Sequence, residues 1–371
     1  MKIAQVSPLY ESVPPRLYGG TERIVHYLTE ELVADGHDVT LFASGDSSTR
    51  ARLEAIVPKA LRLDGRVVDA LAPHILMFDR VMGMADQFDV IHFHTDYLQF
   101  PTFRYCQTPH LTTFHGRLDL HDLQPLFEAF QDFPVVSISD FQRRPVRQAN
   151  WLGTVHHGLP EHLYTFREKP GNYLVFLGRI SPEKRPDRAI EIAMRVGMPL
   201  KIAAKVDKVD RDYFEDRIKP LLNHPLVEFI GEVNEQEKNE LLGHAWALLF
   251  PIDWPEPFGL VMIEALACGT PVVAFGQGSV PEVLDDGVTG FIVDSVEAAV
   301  AAVAAVERID RARCRRVFES RFSARRMARD YVELYTRLIQ RRTGLNVPGV
   351  LNLGAVGLKV KPKARQGGIS S

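Results

Sequence analysis

Short apolar runs alternate with amphipathic helical stretches along most of the chain, and this alternation constrains the fold more than any other feature. Runs at residues 2–7, 38–43, 90–94, 110–114, 135–139 and 154–157 are rich in Val, Ile and Phe. They are apolar on both faces, as parallel strands covered by helices on each side must be. Between the first two, Ile24, Leu28 and Leu32 recur at helical spacing across 21–35, with Thr21 a candidate cap and Gly36 a candidate stop. A polar stretch at 161–172 interrupts the pattern. It then restarts, with strands predicted at 173–177, 200–204, 227–230, 247–250, 271–274 and 290–293. Helices are predicted at 186–196, 213–222, 235–244, 258–268 and 296–307.

Such a chain is α/β: two Rossmann-like, doubly wound parallel-sheet domains facing a central cleft, which is the default ligand site. The predicted division is 1–163 for the first domain and 164–320 for the second. Residues 321–343 form a last amphipathic helix with Met327, Tyr331, Leu334, Tyr335 and Leu338 on one side. Residues 344–371, with few large side chains, read as a poorly ordered tail.

A length of 371 residues suits two domains, and a net charge of -3 gives no electrostatic case for nucleic acid as a partner. The three cysteines, Cys106, Cys268 and Cys314, are far apart and form no Cys-x-x-Cys pair, which argues against a disulfide framework or structural zinc. Met1-Lys2 leads directly into an apolar strand with no leader-like run. No stretch approaches the roughly 18 apolar residues a membrane span needs. The expectation is a cytoplasmic protein without a transmembrane anchor, with peripheral membrane contact left open.

Three segments carry candidate chemistry. In PIDWPEPFGLVMIEALACGTP, residues 251–271, a strand ends near Phe250 and Glu256-Pro257 is expected to open a helix. Pro suits the first helical turn, where its missing N–H costs nothing. The amides of Phe258, Gly259 and Leu260 would then lack intrahelical partners and form an anion site with the helix dipole. Glu264, one to two turns on, is placed to reach a hydroxyl of the same ligand. In LGRISPEKRPDR, residues 177–188, Arg179 and Lys184 sit on one loop at the carboxyl end of a strand, where parallel sheets bind phosphates. In the first half, Gly19-Gly20 precedes a helix and His115 ends a strand at the same sheet edge. His92 and His94 share a strand face, but no third ligand stands at matching spacing, so no metal site is assigned. Eight arginines between 311 and 329 read as a solvated helix face.

Taken in order, these residues resemble glycosyltransferase family 4, the retaining family with the GT-B fold. EPFGLVMIE, from Glu256 to Glu264, is similar to the family's Glu-x7-Glu motif. Gly19-Gly20, Phe114-His115-Gly116, SISDFQR at 137–143, His157-Gly158, Gly178-Arg179 through Lys184, and ALACGTPVV at 265–273 match around it. The resemblance covers roughly residues 1–340. It implies that Arg179 and Lys184 hold a donor diphosphate, that the amides after Glu256 bind phosphate and sugar hydroxyls, and that Glu256 meets the transferred sugar. It further implies that Glu264 binds the ribose, His115 approaches the sugar from the acceptor side, and the Gly19-Gly20 loop closes over the donor.

The implied partners are a nucleotide-diphosphate sugar as co-substrate, UDP before GDP, and a sugar, lipid-linked or small-molecule acceptor. No cofactor and no metal are implied, because Arg179 and Lys184 take a metal's place. An epimerase on the same architecture, or a nucleotide-sugar-binding protein without transfer activity, remains an alternative at this point. Trp254-Pro255 departs from the family's usual small polar residue, and whether Trp254 stacks on a sugar or only packs is left open.

Overall fold

Residues 1–16 and 19–343 are described by a computed structural model. The first sheet contains seven strands: β1 (Lys2–Val6), β2 (Asp38–Ser44), β3 (Arg52–Val57), β4 (Val90–Phe93), β5 (His110–Thr113), β6 (Pro134–Ser137) and β7 (Asn150–Thr154). All are parallel, in the order β3-β2-β1-β4-β5-β6-β7. The second sheet has six: β8 (Leu174–Arg179), β9 (Leu200–Lys205), β10 (Val227–Gly231), β11 (Ala247–Phe250), β12 (Val272–Phe275) and β13 (Gly290–Val293). These too are parallel, in the order β10-β9-β8-β11-β12-β13.

Each order reverses once, between β1 and β4 and between β8 and β11. The connections leaving the two strands at a reversal diverge to opposite faces, which opens a crevice at the carboxyl edge. Buried Val, Ile, Leu and Phe fill both faces of the central strands.

The chain crosses between domains at two adjacent points. Leu159 N–H donates to Phe322 O at 2.9 Å, and Ala324 N–H donates to Leu159 O at 2.8 Å. Gly158 permits this approach, since a Cβ there would lie 2.3 Å from Ser323 O. The last helix, Ala324–Thr343, then packs on the helix Gly20–Ala34, burying Met327, Tyr331, Leu334 and Tyr335 against the first domain.

The structure corrects several expectations. β3 is an additional edge strand, half-exposed, so it lacks the two-sided apolar signature. The strand predicted at 154–157 lies earlier, at Asn150–Thr154, another edge strand of intermediate burial. The helix predicted at 213–222 is a succession of short turns (Arg211–Tyr213, Phe214–Ile218 and Lys219–Asn223); Pro220 has no N–H to sustain a regular ladder. The arginines at 311–329 are not simply a solvated face. Buried Arg311 donates to the carbonyls of Arg167, Gly243 and Ala245, and Arg315 to those of Glu161, Tyr164 and Ala267. Arg326 donates to the carbonyls of His156 and His157. These guanidinium groups satisfy carbonyls of loops and helix ends distant in sequence, a long-range role that local spacing does not encode. Among the described residues, no helix is long and apolar enough to cross a membrane. The predicted tail, 344–371, lies outside the described residues.

Candidate active site

The second-domain half of the site begins with two loops at the reversal point. β8 ends in Arg179, and its loop turns at Pro182–Lys184 into the helix Pro186–Val196. β11 ends at Phe250, and its loop runs to the helix Leu260–Cys268. The loops are tied together. Asp253 N–H donates to Glu183 O at 2.9 Å, and Asp253 Oδ2 accepts from Arg185 and Arg188, each at 3.0 Å. A cradle whose own bonds fix its shape needs less reorganisation when a ligand arrives.

The helix start is displaced from its predicted place. Pro257 and Phe258 precede it in a turn, and Gly259 is the N-cap with φ 79°, a left-handed conformation that favours glycine. A Cβ at Gly259 would also lie 2.8 Å from Met262 Cε. The amides at the helix start are therefore those of Leu260 and Val261, whereas Met262 N–H already returns to Gly259 O at 3.0 Å. Phe258 contributes a buried ring, 4.9 Å from that of His157, and its carbonyl accepts from Ser279 Oγ at 2.9 Å.

The ten residues predicted to bind donor or act in catalysis line one cleft of about 340 Å³: Gly19, Gly20, His115, Arg179, Lys184, Glu256, Phe258, Gly259, Leu260 and Glu264. Lys184 Nζ forms an ion pair with Glu256 Oε2, which also accepts from Trp254 Nε1 at 3.0 Å. Trp254 thus holds Glu256 in place, and its ring lies 4.8 Å from Lys184 Nζ. Arg179 pairs with Glu183, and lies 3.8 Å from Asp207 Oδ2 and 3.5 Å from Asp210 Oδ2. Buried Glu264 is bound by Lys238 Nζ at 2.6 Å.

Lys238 continues to Glu235 at 2.9 Å, and Glu235 also engages Arg23 of the first domain and the Tyr164 hydroxyl. Burial opposes the Arg23 charge, yet the facing Glu235 carboxylate holds its pKa above the usual arginine value. Sequence reasoning missed Arg23, Glu235 and Lys238. Their signal is tertiary: Glu235 and Lys238 share one face of the helix Glu235–Gly243 at i,i+3 spacing, but nothing local aims them at Glu264.

The first-domain wall is built differently. His115 follows β5, keeps some solvent contact, and is enclosed enough that desolvation lowers its pKa to about 3. Burial likewise pushes His92, His94 and His157 well below the usual histidine value. These are neutral imidazoles at neutral pH. A second interdomain contact lies nearby, where the Glu282 carboxylate accepts the N–H groups of Asp140 and Phe141, both at 2.7 Å.

Metal expectations need one correction. An Asp-x-Asp triplet, expected to be absent, occurs at Asp210-Arg211-Asp212. In the fold Asp210 faces Arg179 and Asp212 is exposed. Among the described residues, no group of three or more His, Cys, Asp or Glu side chains is disposed to hold a metal ion.

Comparison with known proteins bears on both halves. A family model described as glycosyltransferase family 4 matches residues 18–159, and one described as glycosyl transferases group 1 matches residues 165–319. An uncharacterized glycosyltransferase of Methanocaldococcus jannaschii is 27% identical over 347 residues, spanning 79% of this chain and 85% of the relative. Among solved structures, sucrose-phosphate synthase of Thermosynechococcus elongatus superposes with a TM-score of 0.76 at 18% identity, covering 92% of this chain and all of the other. An Anabaena protein solved in complex with UDP and glucose gives a TM-score of 0.69 at 18% identity, covering 91% of this chain and 100% of its own.

Proposed function

Because the chain belongs to glycosyltransferase family 4, with a glycosyltransferase activity and the GT-B fold, we propose that it moves a hexose from a nucleotide-diphosphate sugar to a hydroxyl acceptor with retention of configuration. The observation that carries the proposal is the meeting of Arg179, Lys184, Glu256 and the start of the helix Leu260–Cys268 around one cleft. The diphosphate lies between the 179–185 loop and the amides of Leu260 and Val261, exchanging carboxylate partners of the two cations for phosphate oxygens. Glu256 meets the transferred sugar, Glu264 the ribose, and His115 the sugar from the acceptor side, while Gly19-Gly20 closes above.

In this scheme the protein's contribution is electrostatic. As the glycosidic bond breaks, charge builds on the leaving diphosphate, and fixed cations and amides favour that separated state over the intact donor. The leaving phosphate takes the acceptor's proton on the same face of the sugar, so no protein base is required. Arg179 and Lys184 stand where other transferases use a metal ion, so turnover persists in chelator. UDP-sugars are the favoured donors, in keeping with the Anabaena neighbour solved with UDP and glucose, and GDP-sugars come second. The acceptor is a sugar, a lipid-linked molecule or a small molecule. We infer a cytoplasmic enzyme from three cysteines, Cys106, Cys268 and Cys314, that stand far apart in the sequence and form no Cys-x-x-Cys pair.

A thermal-shift panel of nucleoside diphosphates and their sugars tests the donor class, since stabilisation rises with ligand concentration over its dissociation constant. One base should stand out, and a flat panel at millimolar ligand would refute the proposed donor.

A further inference from the structure

Behind the sugar-facing wall lies a column of four neutral histidines that the proposed chemistry does not use in full. The rings of His92 and His94 are 4.0 Å apart, those of His94 and His115 5.2 Å, and those of His115 and His157 5.2 Å with nearly parallel planes. His92 lies on β4 and His94 just past its end, Gln5 lies on the neighbouring β1, and the last helix covers them.

A continuous set of hydrogen bonds links these elements. Gln5 Nε2 donates to the Tyr335 hydroxyl at 3.0 Å, which lies 2.7 Å from His92 Nδ1. His92 Nε2 is 2.8 Å from Thr113 Oγ1, which lies 2.9 Å from the Tyr331 hydroxyl. On the other side, Gln5 Oε1 is 2.9 Å from His94 Nε2, and His94 Nδ1 is 2.9 Å from His115 Nε2.

The polarity of the second branch follows from the orientation of the Gln5 carboxamide, whose nitrogen faces Tyr335 and whose oxygen faces His94. The Gln5 carboxamide oxygen can only accept, so His94 carries its proton on Nε2 and offers a bare Nδ1. A bare Nδ1 can only accept, so His115 carries its proton on Nε2 as well. The remaining ring atom, His115 Nδ1, is then a lone-pair acceptor, and among the described residues it has no protein partner.

We propose that His94, held by Gln5 and through it by Tyr335 of the last helix, is a positioning residue that fixes the His115 tautomer so that Nδ1 accepts a hydroxyl proton of the transferred sugar. This rests on the reading that His115 meets that sugar. Its physical basis is that both protons of the pair lie in buried, satisfied bonds, whereas the reversed tautomer would set two N–H groups or two lone pairs against each other. The last helix thereby acts on the sugar site through one amide and two rings, without touching the ligand.

The test is heteronuclear NMR of the full chain with labelled histidines, combined with kinetics of His94→Leu and His94→Asn. His115→Gln serves only to assign the His115 signals. The wild-type protein should show His115 protonated on Nε2 alone, a measurement that needs no variant to fold. His94→Leu should give mixed tautomers and lower kcat about tenfold, the worth of one hydrogen bond, with nucleoside diphosphate affinity unchanged. His94→Asn, whose carbonyl can still accept from His115, should recover most of the rate. A wild-type His115 protonated on Nδ1, or a His94→Leu variant with unaltered tautomer and kcat, overturns the proposal while leaving the donor site intact. Failure of every nucleoside diphosphate to bind the wild-type protein sinks the donor reading, and this proposal with it.

Discussion

The two domains share a parallel-sheet plan with one order reversal each, yet the edges they turn toward the cleft are chemically opposite. The second domain presents Arg179, Lys184, Lys238, Glu256 and Glu264, all in ion pairs. Apart from Arg23, the first presents neutral imidazoles, backed by an amide and by tyrosine hydroxyls of the last helix, buried and bonded to one another. One topology therefore supplies two solvents: a field of fixed charge, suited to a diphosphate whose charge grows during reaction, and a low-charge wall suited to hydroxyls. The difference lies in the residues at strand ends, not in the strands.

If that division is right, perturbing the charged edge should hurt turnover most. Arg179→Ala and Lys184→Ala should each reduce kcat by about 10²–10³-fold, the usual cost of removing one donor from a site of developing negative charge. Steady-state kinetics beside thermal melts checks this, and the melts should move little by comparison. Near-normal rates in both variants would erase the contrast between the edges.

A smaller effect separates architecture from chemistry. Arg311→Met should destabilise the fold by roughly 2–4 kcal/mol, because buried carbonyls of Gly243 and Ala245 lose their donor. Denaturant unfolding would measure it, with ligand affinity little changed in the folded fraction. Gly259→Ala should cost about 1–2 kcal/mol for a strained left-handed residue and should weaken nucleoside diphosphate binding, measured by calorimetry.

The smallest expected effect concerns pH. Burial disfavours the charged Glu282, but bonds from His156 and the amides of Asp140 and Phe141 prevail and hold its pKa below the usual 4.5. A carboxyl with a depressed folded pKa stabilises fully above its unfolded value, and that contribution is lost as pH falls through the folded pKa. Glu282→Gln should therefore lower stability at neutral pH and flatten the acid limb below about pH 4.5. Thermal melts across that range would show it, and an unchanged acid limb would contradict the assignment.

Much of this was legible in the sequence because central parallel strands are buried on both faces and say so in their composition. The reversal points carry the candidate residues Arg179, Lys184 and Glu256 on the loops that follow strand ends, where the sequence places them on one cleft. What escaped was set by the third dimension. β3 and β7 are edge strands and lack the two-sided apolar code. The helix start moved from Pro257 to Leu260 because Gly259 adopts a left-handed cap, which no periodicity foretells. Arg311, Arg315 and Arg326 look like surface charge until the loops they bind come round to meet them. His92 and His94 could be seen to share a strand face, but their place in a buried, hydrogen-bonded column could not.

The most direct test is a crystal structure of the full chain with a bound nucleoside diphosphate. The account predicts phosphate oxygens within hydrogen-bonding distance of Arg179, Lys184 and the amides of Leu260 and Val261, with the ribose at Glu264. A diphosphate seated away from both the 179–185 loop and the start of the helix Leu260–Cys268 would contradict it.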